Sequence, residues 1–245
     1  MIGIFMNNNI NFLKRLKKII PSHIQPKFKY EKELLTWNYQ QGELFSKYII
    51  QKNKKMKKKY ILEKSGIGKL HINCSFKNYI IQHTGHKKAL LLSKNYARKF
   101  NTINSNFIFL GKSGTGKSHL AIAIGNYLIL KGKNIFIITI SNLMLNIKKS
   151  FNNTNKNFTE EKIINHLSTV DLLILDEIGI QTESKYEKII IHQIVTRRTS
   201  ERKPIGILSN LNYQEIQKVL GTHIMNKIKL KNSLCLNFFW NSYKE

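Results

Sequence analysis

Apolar residues recur along this chain in two rhythms, and the change from one to the other divides it. In residues 10–20, Ile10, Leu13, Leu16 and Ile20 fall at helical spacing with basic residues between them. Pro21 stops that helix, and residues 21–26 read as a kinked connector. A second helical run over 31–50 places Leu34, Trp37, Leu44, Phe45 and Tyr48 near one face, with an interruption predicted at Gly42. It passes into the lysine run 51–60, read as a solvated helix tail or linker. This stretch holds too little apolar surface for a robust core of its own. Its apolar face either docks on a partner or folds back on the rest of the chain.

From about residue 75 the grammar becomes alternating strands and helices, which predicts an α/β fold with a parallel sheet covered on both faces. Strands are predicted at "NFIFLG", "NIFIITI", "VDLLILDEIG", "PIGILSN" and "SLCLNFFW". Between them lie helical patterns, one closed by Gly132 and one with Ser141 as its expected N-cap. No internal repeat is visible. The expected organisation is a helical module over 1–60, a linker over 61–74 and a nucleotide-type α/β domain over 75–245.

Composition narrows this picture in places. Of 245 residues, 42% are apolar, enough for a packed core. The two cysteines, Cys74 and Cys235, form no disulfide framework, and His71 with Cys74 makes at best half a metal site. No apolar run approaches the ~18 residues of a membrane span. The first residues lack the order of a secretion signal, so a cytoplasmic protein is expected. The net charge of +27 permits nucleic-acid binding without establishing it. Of the 41 basic residues 36 are Lys, and Ile and Asn are also abundant, a skew that A/T-rich coding would produce with no selected partner.

Three anchors carry chemistry. Gly111, Lys112, Ser113, Gly114, Thr115, Gly116, Lys117 and Ser118 satisfy G-x-x-x-x-G-K-[ST] between a predicted strand and a predicted helix. Glycines there let backbone N–H groups turn around phosphates, and the helix start adds its positive dipole end. Lys117 is placed to reach the β- and γ-phosphates of ATP, and the Ser118 hydroxyl to ligate Mg²⁺. The second anchor is the apolar strand ending in Asp176 and Glu177. Asp176 suits Mg²⁺, and Glu177 suits orienting or deprotonating a water, which favours hydrolysis over transfer to a metabolite. The third is Asn210, which ends the next strand and can hold the lytic water or the γ-phosphate from the shared carboxyl edge.

Together these anchors resemble the AAA+ ATPases. With "SGIGKLHINCSFKNY" upstream, the run "DLLILDEIGIQTESKYEKIIIHQIVTRR" and the ending "LKNSLCLNFFWNSY", the chain is similar to the replicative helicase loaders of the DnaC/IstB-like branch. The segment "PSHIQPKFKYEKELLTWNYQQG" resembles their helicase-binding part, so the likeness covers nearly the whole chain. The resemblance implies an N-terminal module that binds a hexameric replicative DNA helicase, with Arg15, Leu16, Leu34 and Trp37 at gripping positions. It implies AAA+ domains that self-associate side by side with ATP between neighbours, and single-stranded DNA held by Lys148, Phe151, Ser184 and Tyr186. It also implies an arginine finger in the helix "HIMNKIKLK", where this chain has Lys227, flanked by His223 and Lys229. Lysine supplies the charge without the planar fork, so slow hydrolysis, stimulated by single-stranded DNA, is expected. Two other readings stay open: a transposase-associated ATPase of the same branch acting on duplex DNA, and an assembly chaperone that holds ATP as a structural ligand.

Overall fold

A computed structural model describes residues 31–66, 73–151, 159–179, 184–229 and 233–242. The chain divides into two compact units, 1–54 and 55–245. The boundary falls inside helix α1 (Glu31–Lys64), the first described element. This helix runs unbroken through Gly42 and the lysine run. A helical glycine costs only about 1 kcal/mol relative to alanine, and the Leu, Gln, Glu and Lys around it are good helix formers. Leu35, Tyr39, Leu44, Phe45 and Tyr48 are exposed along it.

The remaining elements alternate. They are α2 (Thr84–Ile103), β1 (Phe107–Gly111), α3 (Lys117–Leu130), β2 (Ile135–Thr139), α4 (Ile140–Phe151), α5 (Glu160–Thr169) and β3 (Leu172–Ile178). Then follow α6 (Lys185–Ser200), β4 (Ile205–Ser209), α7 (Tyr213–Leu220), α8 (Thr222–Ile228) and β5 (Leu234–Phe238). All strand pairs are parallel, in the order β2-β3-β4-β1-β5. Interior strand β1 pairs Phe107 with Gly206 of β4 on one side and with Leu234 of β5 on the other. Because helices cover both faces, the first four residues of β1 and of β3 are all buried and read as continuous apolar runs. Ile108, Leu173, Leu175 and Ile207 pack under α4–α8, whereas Phe107, Phe109, Leu172 and Ile174 pack under α2 and α3. Each such side chain contributes about 1.5–3 kcal/mol of burial.

One local detail differs from the sequence expectation. Helix α4 starts at Ile140, so Ser141 is already helical. Thr139 Oγ1 instead accepts from the Asn142 N–H at 3.2 Å, because the helix leaves β2 without an intervening turn. A further local detail is Arg198, which is wholly buried at the end of α6. Its guanidinium donates to the carbonyls of Leu167 (2.7 Å), Val170 (3.0 Å) and Pro204 (2.7 Å), tying α6 to the chain entering β3 and β4. Burial pulls its pKa down to about 10 against the pull of Glu201 and Asp171, so it stays charged at neutral pH.

Candidate functional site

The sheet's carboxyl edge is where the parallel strands release their chain, and the three sequence anchors meet there. The loop from β1 to α3 turns through Gly114 (φ 75°) and Gly116 (φ 91°), a left-handed conformation that a Cβ disfavours. Helix α3 has no acidic residue in its first turn, so its dipole end stays open to an anion. Lys117 is buried at that end. Its ammonium donates to the carbonyls of Gly111 (2.5 Å) and Lys112 (2.6 Å) and to Asn210 Oδ1 (3.0 Å). Burial lowers its pKa to about 8, with Asp176 opposing the shift. Three acceptors thus hold the ammonium beside the cavity that Lys117 borders.

The Ser118 hydroxyl donates to Asp176 Oδ2 at 2.9 Å. These two oxygens form the hard donor pair that Mg²⁺ takes, the rest of its shell coming from waters and phosphate oxygens. The residues therefore fit the ion. Asp176 and Glu177 sit on a bulge of β3. Leu175 pairs with Ile207 and Ile178 with Ser209, so three steps on β3 match two on β4. Such a bulge turns side chains out of the ladder. Glu177 adopts φ 61°, rare for a residue with a side chain, and its N–H donates to Asp176 Oδ1 at 2.7 Å. Strain of this kind costs about 1–3 kcal/mol and collects at functional sites. It leaves the Glu177 carboxylate exposed at the mouth of the site.

A cavity of about 470 Å³ joins these groups, bordered by Gly114, Gly116, Lys117, Ser118, Asp176, Glu177 and Asn210. Its other wall is Asn78, Tyr79, Ile80 and His119, which sequence reasoning had not assigned to the site. The His119 ring contacts the Ser75 carbonyl at 3.1 Å and packs edge-on to Tyr79, 5.4 Å between centroids. The only hint in the sequence is that His119 directly follows the phosphate loop. The C-terminal segment was missed as well: the Trp240 indole N–H donates to the Thr115 carbonyl at 2.9 Å.

Other expected positions lie elsewhere. Lys227, on α8, is half-buried and donates to Thr196 Oγ1 of α6 at 3.0 Å. Lys229 lies over the Tyr213 ring at 4.5 Å, and His223 stacks on His192. None of these three borders the cavity. Phe151 and Tyr186 come together from the end of α4 and the start of α6, 6.4 Å between centroids, with Phe151 62% exposed. Lys148 is exposed one turn before Phe151 on α4. Ser184 caps α6, accepting from the Glu187 N–H at 3.1 Å. Tyr186 donates to Glu160 at 2.7 Å. Leu34 and Trp37 stand on α1, and Trp37 is half-buried. Arg15, Leu16 and His71 lie outside the described residues, which hold no cluster of metal-ligating side chains. Among them, too, no helix is long and apolar enough to cross a membrane.

Comparison with known proteins agrees with this geometry. The model of a family described as IstB-like ATP binding protein matches residues 43–232. The replicative helicase loader DnaC of Buchnera aphidicola subsp. Baizongia pistaciae is 55% identical over 240 residues, covering 98% of this chain and 97% of its own. That of Escherichia coli (strain K12) is 46% identical over 239 residues, again covering 98% and 97%. Solved structures share the fold. A crystal structure of the DnaC helicase loader superposes with a TM-score of 0.60 at 22% identity, over 69% of this chain and 99% of that one. The replication initiator DnaA bound to AMPPCP and single-stranded DNA gives 0.60 at 18% identity, over 71% and 52%. Phosphate loop, acidic bulge and full-length relatedness agree: this chain belongs to the DnaC-type helicase loaders within the IstB-like ATP-binding family.

Proposed function

We propose that the protein is an ATP-dependent loader that binds the hexameric replicative helicase and delivers it onto single-stranded DNA at an origin. The observation that carries this reading is the extent of the likeness. Identity to named helicase loaders spans 98% of the chain, including residues before position 43, where the match to the ATP-binding family begins. Arg15, Leu16, Leu34 and Trp37 all lie in that leading part and are assigned to the helicase.

At the site, Lys117 binds the β- and γ-phosphates while Asn210 holds the lysine and faces the terminal phosphate. Ser118 and Asp176 hold Mg²⁺, which supplies charge neutralisation on the phosphate oxygens. Glu177, strained and exposed at the cavity mouth, orients the attacking water and takes its proton. Lys227 is the cation offered to a neighbouring domain's ATP. Lys148, Phe151, Ser184 and Tyr186 form the DNA face: two cation or hydroxyl contacts for phosphates, two rings for stacking without sequence preference. Hydrolysis shifts the loader from a helicase-holding to a helicase-releasing state, which requires only a difference in affinity between the two.

The test is ATP turnover with the partner helicase and single-stranded DNA, alongside helicase binding by the Trp37→Ala chain. Slow turnover that single-stranded DNA stimulates, with binding weakened by the substitution, is the expected result. Stable duplex binding with no helicase affinity would overturn the reading. A second reading, ATP as a structural ligand without hydrolysis, draws on the Lys227–Thr196 contact, which keeps the cation on its own chain. Turnover at background while the helicase still binds would select it.

A further inference from the structure

The chain after β5 returns to the phosphate loop and touches it through residues that do not border the cavity. Trp240 Nε1–H donates to the Thr115 carbonyl at 2.9 Å. Its ring is fixed by packing against His83 (5.1 Å), His86 (4.7 Å) and Phe238 (4.8 Å between centroids). Gly85, at the start of α2, leaves room for it: an added Cβ would lie 3.0 Å from the indole. Two residues on, Ser242 sits against the loop so closely that a Cβ on Gly114 would meet its Oγ at 2.1 Å. The loop backbone is therefore backed by a specific set of side chains, not by solvent.

The peptide unit gives that contact a consequence. The peptide between Thr115 and Gly116 is planar and trans, so its C=O and N–H point in opposite directions. Holding the Thr115 oxygen on the indole aims the Gly116 N–H the other way, and Gly116 borders the cavity. Donation to the carbonyl also polarises the same amide, which strengthens its N–H as a donor. We infer that Trp240 is a positioning residue for phosphate recognition, setting the direction and donor strength of the Gly116 N–H through the Thr115 carbonyl. This rests on the nucleotide reading of the site and adds to it a group outside the G-x-x-x-x-G-K-[ST] motif.

The test compares ATP affinity of the full chain with Trp240→Phe and Trp240→Leu. Phenylalanine keeps a ring against His83 and His86 but has no N–H. Loss of one aligned hydrogen bond predicts about three- to tenfold weaker ATP binding for Trp240→Phe, with Trp240→Leu no more than slightly worse. Wild-type affinity for Trp240→Phe with a loss confined to Trp240→Leu means that the ring only packs, and overturns the inference. A second readout needs no change at position 240. In a Trp37→Phe chain, emission reports Trp240 alone, and ATP binding should move it to longer wavelength as the indole hydrogen bond strengthens. An unmoved spectrum with ATP bound, as scored by equilibrium dialysis, also overturns it. If the wild-type chain binds no ATP, the nucleotide reading itself fails, a result distinct from either of these.

Discussion

The carboxyl edge of the sheet and helix α8 stand at opposite stages of assembly. At the sheet edge the pieces already touch: Lys117 bonds to Asn210, and Ser118 to Asp176, across three strands of one chain. On α8 Lys227, proposed above as the cation for a neighbour's ATP, spends its hydrogen bond on Thr196, within its own chain and away from the cavity. The difference follows from what each part recognises. Phosphates and Mg²⁺ need short, fixed donors, and a rigid parallel sheet supplies them without help. A finger acts across an interface, so one chain cannot complete it, and its cation needs a partner in the meantime. On the proposed function, the contrast predicts that the single chain binds nucleotide and that fast turnover requires a neighbour.

The largest expected effect sharpens the first half of that contrast. Glu177→Gln should lower turnover by about 10³-fold while ATP binding persists, measured by phosphate release and equilibrium dialysis. Because position 177 is held at φ 61°, Glu177→Gly should be equally inactive yet about 1 kcal/mol more stable in thermal unfolding. A stability loss there would show that the bulge is not strained. Lys117→Ala should weaken ATP binding by about a hundredfold in the isolated chain, since a buried charged contact is removed. Binding that survived would break the claim that this edge is complete by itself.

Smaller effects probe the parts that need partners. Phe151→Ala should weaken single-stranded DNA binding by about tenfold with little change across base sequences, read by anisotropy. A loss confined to one sequence would argue against stacking. Lys227→Arg should raise turnover severalfold, but only where chains assemble on the helicase. Thr196→Val should raise it by about threefold by freeing the lysine, the worth of one hydrogen bond. If either variant were equally faster in dilute isolated chains, α8 would not be acting across an interface.

Some misreadings show where local pattern stops. Gly42 looked like a break, yet α1 passes through it because neighbouring helix formers outweigh one glycine; the lysine run, read as a helix tail or a linker, is helical. Ser141 looked like a cap, but β2 runs directly into α4 and Thr139 takes that place. Arg198 drew no reading from the local pattern, yet it is wholly buried against main-chain carbonyls. Helix propensity decided the first and the joining of β2 to α4 the second; for Arg198 the partners lie as many as 31 positions away, where local spacing does not reach.

The sequence by itself determined the alternation of strands and helices, the parallel class of the sheet and the identity of the phosphate loop. Each rests on local order: apolar runs of strand length, helical spacing, and glycines at fixed offsets before a lysine. It also placed Asp176, Glu177 and Asn210 at strand ends, which parallel strands necessarily bring to one edge. Only the tertiary structure decided that Asp176 and Glu177 ride on a bulge, that Tyr79 and His119 wall the cavity, and that Trp240 holds the loop from behind. Those contacts join residues as much as 125 positions apart. They depend on strand order and on how the ends of elements fold back, and no periodicity along a chain encodes which ends will meet.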